Sequence, residues 1–314
     1  MNKISVIMSV FNEENYLIID SVESILNQSY ENLEFIIVLD NPNNNEAYKL
    51  LKEYANKDTR VKLIINENNI GLTESLNKAL KIASGEYIAR MDADDISLSN
   101  RLEIQLNYMK NNPDIDLIAS NAIIIDNNKV ELYRTNNYGN SINKCRKAIE
   151  YKNVFIHPSW MFKKEILKKL IQYNEVPKAE DYDFVCRLNL NGYKSIIINE
   201  CLLKVRRRND GISFSNLFIQ SSMAEIVRKN YIKANKSRDI KLYNPYKEIK
   251  RYKFNKRVEE RYNKSYKMYN LGMINCKNKN YIKGGIQIII SCLKSKLKAK
   301  EALCLVQLKL LSGR

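Results

Sequence analysis

Short apolar runs alternate with amphipathic segments through the first hundred residues. The apolar, β-branched runs predict four buried strands, over Ile4–Val10, Glu34–Leu39, Val61–Ile65 and Tyr87–Met91. The intervening segments place apolar residues at helical spacing and predict helices over 15–28 and 73–83. Strands joined by crossover helices are typical of a mixed, mostly parallel sheet, so we predict a Rossmann-like α/β domain.

Acidic side chains follow two of these strands directly. Asp40 ends the second strand, and Asp92, Asp94 and Asp95 come after the fourth. Ligands of doubly wound sheets bind at the carboxyl ends of the strands, so these residues are predicted to line one crevice. Clustered carboxylates repel unless a cation neutralises them, and oxygen ligands favour Mg²⁺ or Mn²⁺. The alternative is that the aspartates cap a helix predicted over 100–110.

The last third of the chain has a different character. Residues 215–314 are Lys- and Tyr-rich, with 24 Lys and Arg against six Asp and Glu, a net charge of +18, whereas residues 1–214 carry −1. We therefore predict an α/β domain over 1–214 and a basic helical extension over 215–314. Such a charge suits an anionic partner, either a membrane surface or nucleic acid; the alternative is a solvated basic surface.

One segment of the extension is amphipathic. Its apolar side chains on one predicted helical face are Ile286, Ile289, Ile290, Leu293 and Leu297, and the flanking lysines are Lys294, Lys296 and Lys298. Such a helix can lie in a membrane interface with its lysines toward the headgroups. The alternative is that this face packs on the α/β domain or on a second subunit.

Cysteine usage and hydropathy bear on location. Six cysteines are scattered without a C-x-x-C pair, which suits reduced thiols. The N-terminal apolar run is too short for a signal peptide, and no run reaches the roughly 18 apolar residues of a membrane span. We expect a cytoplasmic protein.

Several motifs resemble those of the family 2 glycosyltransferases, which have the nucleotide-sugar-binding A-type fold. They are SVIMSVFNEENYL (5–17), SILNQSY (24–30), EFIIVLDN (34–41), NIGLTESLN (69–77), GEYIARMDADD (85–95), HPSWMFKKE (157–165) and AEDYDFVCRL (179–188). The resemblance runs from Ser5 to about Ser213. Overall the chain is similar to bacterial enzymes that extend lipopolysaccharide, lipooligosaccharide or capsule. Departures are Ser9 in place of a usual Pro, Leu39 in place of a second aspartate, and Asn41-Pro42 in place of a Gly-Ser turn.

The resemblance implies a role for each matching residue. The nucleotide-sugar-binding set is Val10, Phe11, Glu13, Asp40, Asp92, Ala93, Asp94 and Arg206. Within it, Asp40 is expected to accept a hydrogen bond from uracil, Asp94 to hold the metal, and Arg206 to contact the diphosphate. Alignment on residues 211–213 gives Arg206 the family's Arg position and Arg208 its His position. The implied acceptor and sugar pocket contains His157, Trp160, Glu180 and Asp95; a structural histidine and a core tryptophan are the alternatives.

Asp181 matches the general base of the family. Glu180 and Asp181 follow the helix-breaking Pro177 and precede an amphipathic run, so they are predicted to begin a helix. One base suffices for inversion, because it takes the proton of the acceptor hydroxyl as that oxygen attacks the anomeric carbon. An ordinary helix cap is the alternative.

Together these features predict an inverting, Mn²⁺- or Mg²⁺-dependent glycosyltransferase. The expected reaction moves a sugar of the GlcNAc, Gal or GalNAc class from a UDP-sugar to a hydroxyl of a lipid-linked cell-surface glycan, at the inner face of the membrane. A homodimer is possible and nucleic acid is not expected as a partner. Three hypotheses compete with this one. A nucleotidyltransferase would need a glycine-rich loop, which residues 9–14 lack, and a nucleic-acid-binding function would leave the aspartates unexplained. The presence of both Asp94 and Asp181 argues against the third, an inactive scaffold.

Overall fold

The structure is a computed structural model that describes residues 2–136, 141–207 and 214–312. Arg208, which has the His position of the family, and the Gly211-Ile212-Ser213 segment on which the alignment rests lie outside the described residues.

Nine strands of the described residues belong to one sheet. They are β1 (Ile4–Val10), β2 (Leu33–Leu39), β3 (Val61–Ile65), β4 (Tyr87–Asp92), β5 (Ile96–Ser97), β6 (Leu117–Ile125), β7 (Glu131–Arg134), β8 (Met161–Lys163) and β9 (Ser195–Arg206). Their order is β3-β2-β1-β4-β8-β6-β9-β5, with β7 paired to β6. The longer ladders, β3-β2-β1-β4 and β6-β9, are parallel, so the mixed, mostly parallel sheet is as predicted.

The helices alternate with the strands and then dominate the C-terminal part. They are α1 (Asn15–Leu26), α2 (Asn45–Lys57), α3 (Gly71–Ile82), α4 (Arg101–Asn111), α5 (Ile142–Ile149), α6 (Leu167–Leu170), α7 (Glu180–Leu190), α8 (Phe214–Ser237), α9 (Pro245–Arg251), α10 (Lys256–Lys277), α11 (Tyr281–Lys294) and α12 (Lys296–Ser312). None of the described helices is both long enough and apolar enough to span a bilayer.

The chain divides into two compact units. The first comprises Met1–Arg146, Asn153–Glu175 and Asp183–Asn209, and the second comprises Lys147–Lys152, Val176–Tyr182 and Asp210–Arg314. Most of residues 1–209 thus belong to the first unit and residues 210–314 to the second, which also includes the two short segments Lys147–Lys152 and Val176–Tyr182.

The core of the first unit lies against the sheet. Alternate residues of β1, such as Val6 and Met8, point to one face, as the two-residue period of a strand requires. There they pack with α1 and α4, which contribute buried residues such as Ile18 and Leu106. Helix α3 packs against β1 and β2. This packing fixes the carboxyl ends of β1, β2 and β4 side by side, because all three are parallel neighbours.

A helical hairpin is the main feature of the second unit. Helices α10 and α11 are joined by residues 278–280 and approach closely at Gly272 and Gly284. A Cβ on Gly272 would lie 2.8 Å from the carbonyl oxygen of Gly284, so only glycine fits there without a shift. Ser265 donates to the carbonyl of Ser291 at 2.5 Å farther along the same seam. The Ile286–Ile290 run, ambiguous from sequence, is helical.

Candidate active site

The carboxyl ends of β1 and β2 form one side of the site. The carbonyl of Val10 accepts from the backbone N–H of Asp40 at 2.7 Å, which fixes the two strand ends together. The backbone N–H of Phe11 donates to the carboxylate of Glu13 at 2.7 Å, and the Phe11 side chain is 39% exposed. The structure thus brings together these four members of the predicted nucleotide-sugar-binding set.

Asp40 is buried and organises the loop before α3. Its carboxylate accepts from the side-chain amide of Asn66 at 2.8 Å and from the backbone N–H groups of Ile70 and Gly71 at 2.9 and 2.8 Å. Gly71 has φ +84°, a conformation that favours glycine. Among the described residues, these three bonds occupy three of the about four acceptor positions that a carboxylate offers. Its contact with uracil stays a prediction.

An acidic cluster lies at the carboxyl end of β4. The carboxylate oxygens of Asp92, Asp94 and Asp95 lie within 4.8 Å of one another. Asp95 is fully buried, and burial together with the charges of Asp92 and Asp94 raises its pKa well above the ordinary value. Asn100 precedes the first turn of α4, so these aspartates do not cap that helix. Three converging carboxylates are the donor set that suits Mg²⁺ or Mn²⁺.

Two buried arginines that were not predicted from the sequence support the acidic cluster. Arg90 forms an ion pair with Asp92, while its Nε and Nη1 have no hydrogen-bond partner among the described residues. Arg101 donates to the carbonyl oxygens of Arg90 and Trp160 at 2.9 and 3.1 Å. Burial and the neighbouring charge of Arg90 lower the pKa of Arg101 to about 9. The sequence carried a signal for Arg90, because a charged residue in the middle of a predicted buried strand needs a partner of opposite charge.

His157 and Trp160 lie in an aromatic cluster with Tyr173 and Phe184. The His157 Nε2 lies 2.9 Å from the hydroxyl of Tyr173, and its ring centroid is 4.5 Å from that of Trp160. Burial and the charge of Arg90 lower the pKa of His157 well below its ordinary value, so the imidazole is neutral at pH 7. Trp160 is completely buried and packs against Phe184.

Glu180 and Asp181 are the first residues of α7, as predicted. Glu180 is buried, and the Asp181 carboxylate accepts from the backbone N–H of Tyr182 at 2.7 Å. A helix N-terminus favours the ionised carboxylate, because its N–H groups and dipole stabilise negative charge. An ionised carboxylate is the form that a general base requires.

Comparison with known protein families identifies the family to which this chain belongs. The family model described as Glycosyl transferase family 2 matches residues 5–171, more than half of the chain, including β1, β2 and the acidic cluster. The chain is a family 2 glycosyltransferase.

Related glycosyltransferases share long stretches of sequence with this one. The O-antigen biosynthesis glycosyltransferase WbnJ of Escherichia coli is 38% identical over 240 residues, covering 74% of this chain and 92% of WbnJ. WfgD of E. coli, a UDP-Glc:alpha-D-GlcNAc-diphosphoundecaprenol beta-1,3-glucosyltransferase, is 41% identical over 128 residues, covering 40% of this chain and 48% of WfgD.

The solved structures agree on the fold of this glycosyltransferase. The structure of Staphylococcus aureus TarS residues 1–349 in complex with UDP-GlcNAc superimposes with a TM-score of 0.58, covering 96% of this chain and 90% of that one. At 16% identity the likeness concerns the fold, which is the glycosyltransferase A-type fold expected from the sequence.

Arg206 has a different place in this glycosyltransferase from the predicted diphosphate contact. Its guanidinium is buried and donates to the carbonyls of Asp94 and Asn127 at 3.1 and 2.9 Å and to the Asp20 carboxylate at 3.1 Å. Its backbone N–H donates to Asp95 at 2.9 Å. These bonds direct the guanidinium into the protein, so Arg206 braces residues 92–95, which we call the acidic loop.

Trp160 also departs from the predicted role. A fully buried indole has no face left for a sugar, so Trp160 is a core tryptophan that packs against His157 and Phe184 and does not line the implied sugar pocket. Ala93 is likewise buried, within the acidic loop.

Proposed function

We propose that this glycosyltransferase is an inverting, metal-dependent enzyme that transfers a sugar of the GlcNAc, Gal or GalNAc class from a UDP-sugar to a hydroxyl of a lipid-linked cell-surface glycan. The observation that carries the proposal is the acidic cluster of Asp92, Asp94 and Asp95 beside the strand ends that hold Val10 and Asp40.

The metal proposal rests on the chemistry of the cluster. Asp94 would hold the ion, with Asp92 and Asp95 supplying further negative charge nearby. Bound there, Mn²⁺ or Mg²⁺ would stabilise the charge that develops on the leaving diphosphate. Arg206 keeps this loop in place through the Asp94 carbonyl and the Asp95 carboxylate, so the ligands are held before the ion binds.

Asp181 is proposed as the general base. Its place in the first turn of α7 favours the ionised carboxylate, which can take the proton of the acceptor hydroxyl. A single base is sufficient for inversion because the acceptor oxygen attacks the anomeric carbon from the side opposite the nucleoside diphosphate. The α-linked sugar of the donor would become β-linked in the product.

Relatives support the choice of donor and acceptor. The name of WfgD specifies UDP-glucose as donor and a diphosphoundecaprenol-linked sugar as acceptor, and WbnJ belongs to O-antigen biosynthesis. A lipid-linked acceptor lies at a membrane, and the +18 charge of residues 215–314 suits the anionic cytoplasmic leaflet. We therefore propose peripheral association with the inner face of the cell membrane.

Donor hydrolysis without an acceptor tests the proposal. The purified chain is incubated with a panel of nucleotide sugars, with Mn²⁺, with Mg²⁺ or with EDTA, and released nucleoside diphosphate is measured. We expect slow hydrolysis of one UDP-sugar that requires the metal and is abolished by Asp94→Ala. Asp114→Ala, which removes an exposed carboxylate outside the cluster, is the control and should retain activity. Full activity of the wild type in EDTA would contradict the metal dependence.

A further inference from the structure

The outward face of α11 carries a stripe of exposed apolar side chains. Ile282, Ile286, Ile289 and Leu293 follow the i, i+4, i+7, i+11 spacing of one helical face, and their side chains are 81%, 53%, 61% and 80% exposed. We call these four residues the α11 stripe. Large apolar residues at that spacing normally face a core, so a continuous exposed row indicates a surface that contacts something apolar.

The packing of the hairpin explains why the stripe points outward. The face of α11 toward α10 carries the small residues Gly284 and Ser291, which are buried. These let the two backbones approach so closely that a Cβ on Gly284 would lie 2.7 Å from the carbonyl oxygen of Gly272. Small residues therefore fill the inner seam, and the large side chains of α11 remain on the opposite side.

The charged residues closest to the stripe in sequence are cationic. From Arg261 to Lys300 the sequence has ten Lys and Arg and no Asp or Glu. Lys279, Lys283, Lys294 and Lys296 are exposed close to the stripe in sequence. Lys298, expected from sequence to face headgroups, is buried instead: it pairs with Glu301 at 3.1 Å and lies over the rings of Tyr266 and Tyr269. Leu297 belongs to α12, beyond the end of α11 at Lys294.

We propose that the α11 stripe docks on an anionic lipid surface, with the helix lying in the plane of the interface and the hairpin lysines at the headgroups. An apolar row whose charged sequence neighbours are exposed lysines complements acyl chains below anionic headgroups. A second copy of this chain would bring two surfaces of the same positive sign together, which disfavours a dimer through this face. Nucleic acid would be attracted by the lysines but would gain little from four aliphatic side chains. The inference rests on the proposed membrane association and names the surface responsible for it.

Vesicle co-sedimentation of the full chain tests the inference. The probes are phosphatidylcholine vesicles with and without phosphatidylglycerol, at low and high salt. The test variant is the double substitution Ile289→Ser and Leu293→Ser, which removes apolar area and leaves the charge unchanged. We expect binding to phosphatidylglycerol vesicles that is lost at high salt, and a partition coefficient at least about ten-fold lower for the double variant.

A matched control variant distinguishes binding through the α11 stripe from nonspecific adsorption to vesicles. Ile240 belongs to the same unit and is 41% exposed, and Ile240→Ser should bind vesicles like the wild type. All three sites are exposed, so the variants should unfold at the same temperature as the wild type. Donor hydrolysis in vesicle-free buffer should also be unchanged, which separates a failure at this surface from a failure of the proposed activity.

Three results would overturn the inference. The first is equal vesicle binding by the wild type and the double variant. The second is a wild-type dimer that the same substitutions convert to a monomer in light scattering, with vesicle binding unaltered, which would assign the stripe to a second copy. The third is tight, salt-sensitive binding of RNA by both proteins without any vesicle binding, which would assign the basic surface to nucleic acid.

Discussion

Replacing Asp95 by asparagine is expected to stabilise the protein near neutral pH in the absence of divalent metal. Asp95 is buried with its carboxylate within 4.8 Å of those of Asp92 and Asp94, so native packing forces negative charges together. Asparagine has nearly the same shape, and its side-chain oxygen can still accept from the backbone N–H of Arg206, which lies 2.9 Å from Asp95 Oδ1. The substitution therefore removes the charge and keeps the hydrogen bond.

The magnitude follows from the separation of the carboxylates. Two like charges 4.8 Å apart repel by about 3.5 kcal/mol at an effective dielectric constant of about 20. The positive charge of Arg90 offsets part of this repulsion, so we expect a gain of about 1–3 kcal/mol in the free energy of unfolding. For a unit of this size each kcal/mol raises the midpoint of thermal unfolding by about 2–4 °C.

The pKa of the Asp95 carboxyl determines how the stability gain of the variant depends on pH. The native pKa of Asp95 is raised above the unfolded value of about 3.9, so this group favours folding most at pH below 3.9. That contribution is lost as the pH rises toward the native pKa. Asparagine does not titrate, so the advantage of the variant should be large at pH 7.5 and should vanish near pH 4.

Thermal unfolding in EDTA, followed by circular dichroism from pH 4 to 8, measures the effect. Asp114→Asn is the control, because hydrogen bonding to Lys194 lowers the pKa of that exposed carboxyl and the substitution should not stabilise. If Asp95→Asn melts with the wild type at pH 7.5, or gains as much at pH 4 as at pH 7.5, the reasoning about charge crowding is refuted.

Three further predictions concern the proposed chemistry and its support. Asp181→Asn should bind UDP-sugar normally yet transfer at least ~10²-fold more slowly in single-turnover assays, as loss of a general base predicts; near-normal turnover would remove Asp181 from the mechanism. The isolated product of an α-linked donor should show the NMR coupling of a β-linkage, and retention of configuration would exclude a single-base displacement. Arg206→Lys should lower the free energy of unfolding in urea by about 2–4 kcal/mol, because lysine cannot reach all the acceptors of a buried guanidinium, whereas the exposed Arg207→Lys should be neutral.

The strands were predictable because their signal is local. The runs at Ile4–Val10 and Val61–Ile65 were predicted with the bounds that the structure has. The first is rich in apolar residues and almost entirely buried between two parallel neighbours, as its composition specifies. The second contains Lys62, lies at the edge of the sheet and is only partly buried. The C-terminal part was harder, because the helical hairpin depends on Gly272 meeting Gly284 across two helices. Without that contact, the apolar face of α11 could equally be assigned to an interior.

In the candidate active site, too, only the features with a local sequence signal could be predicted. Asp92, Asp94 and Asp95 are close in sequence, so their cluster could be predicted from the chain alone. The support of that cluster could not, because Asp20 and Arg206 meet across 186 positions. Arg206 was assigned to the ligand because its place near the end of the last strand is shared with the family, and only tertiary structure reveals that its guanidinium turns inward.

The bonds of Arg206 have a consequence for engineering this enzyme. One side chain joins α1, the acidic loop and the turn between β6 and β7, three segments that a loop-exchange experiment would treat as separate modules. A chimera that takes residues 92–95 from another enzyme to change the donor would therefore lack a matching arginine and aspartate to hold that loop. Residues 20 and 206 should be exchanged together with residues 92–95, so that donor preference is transplanted as a set of distant positions.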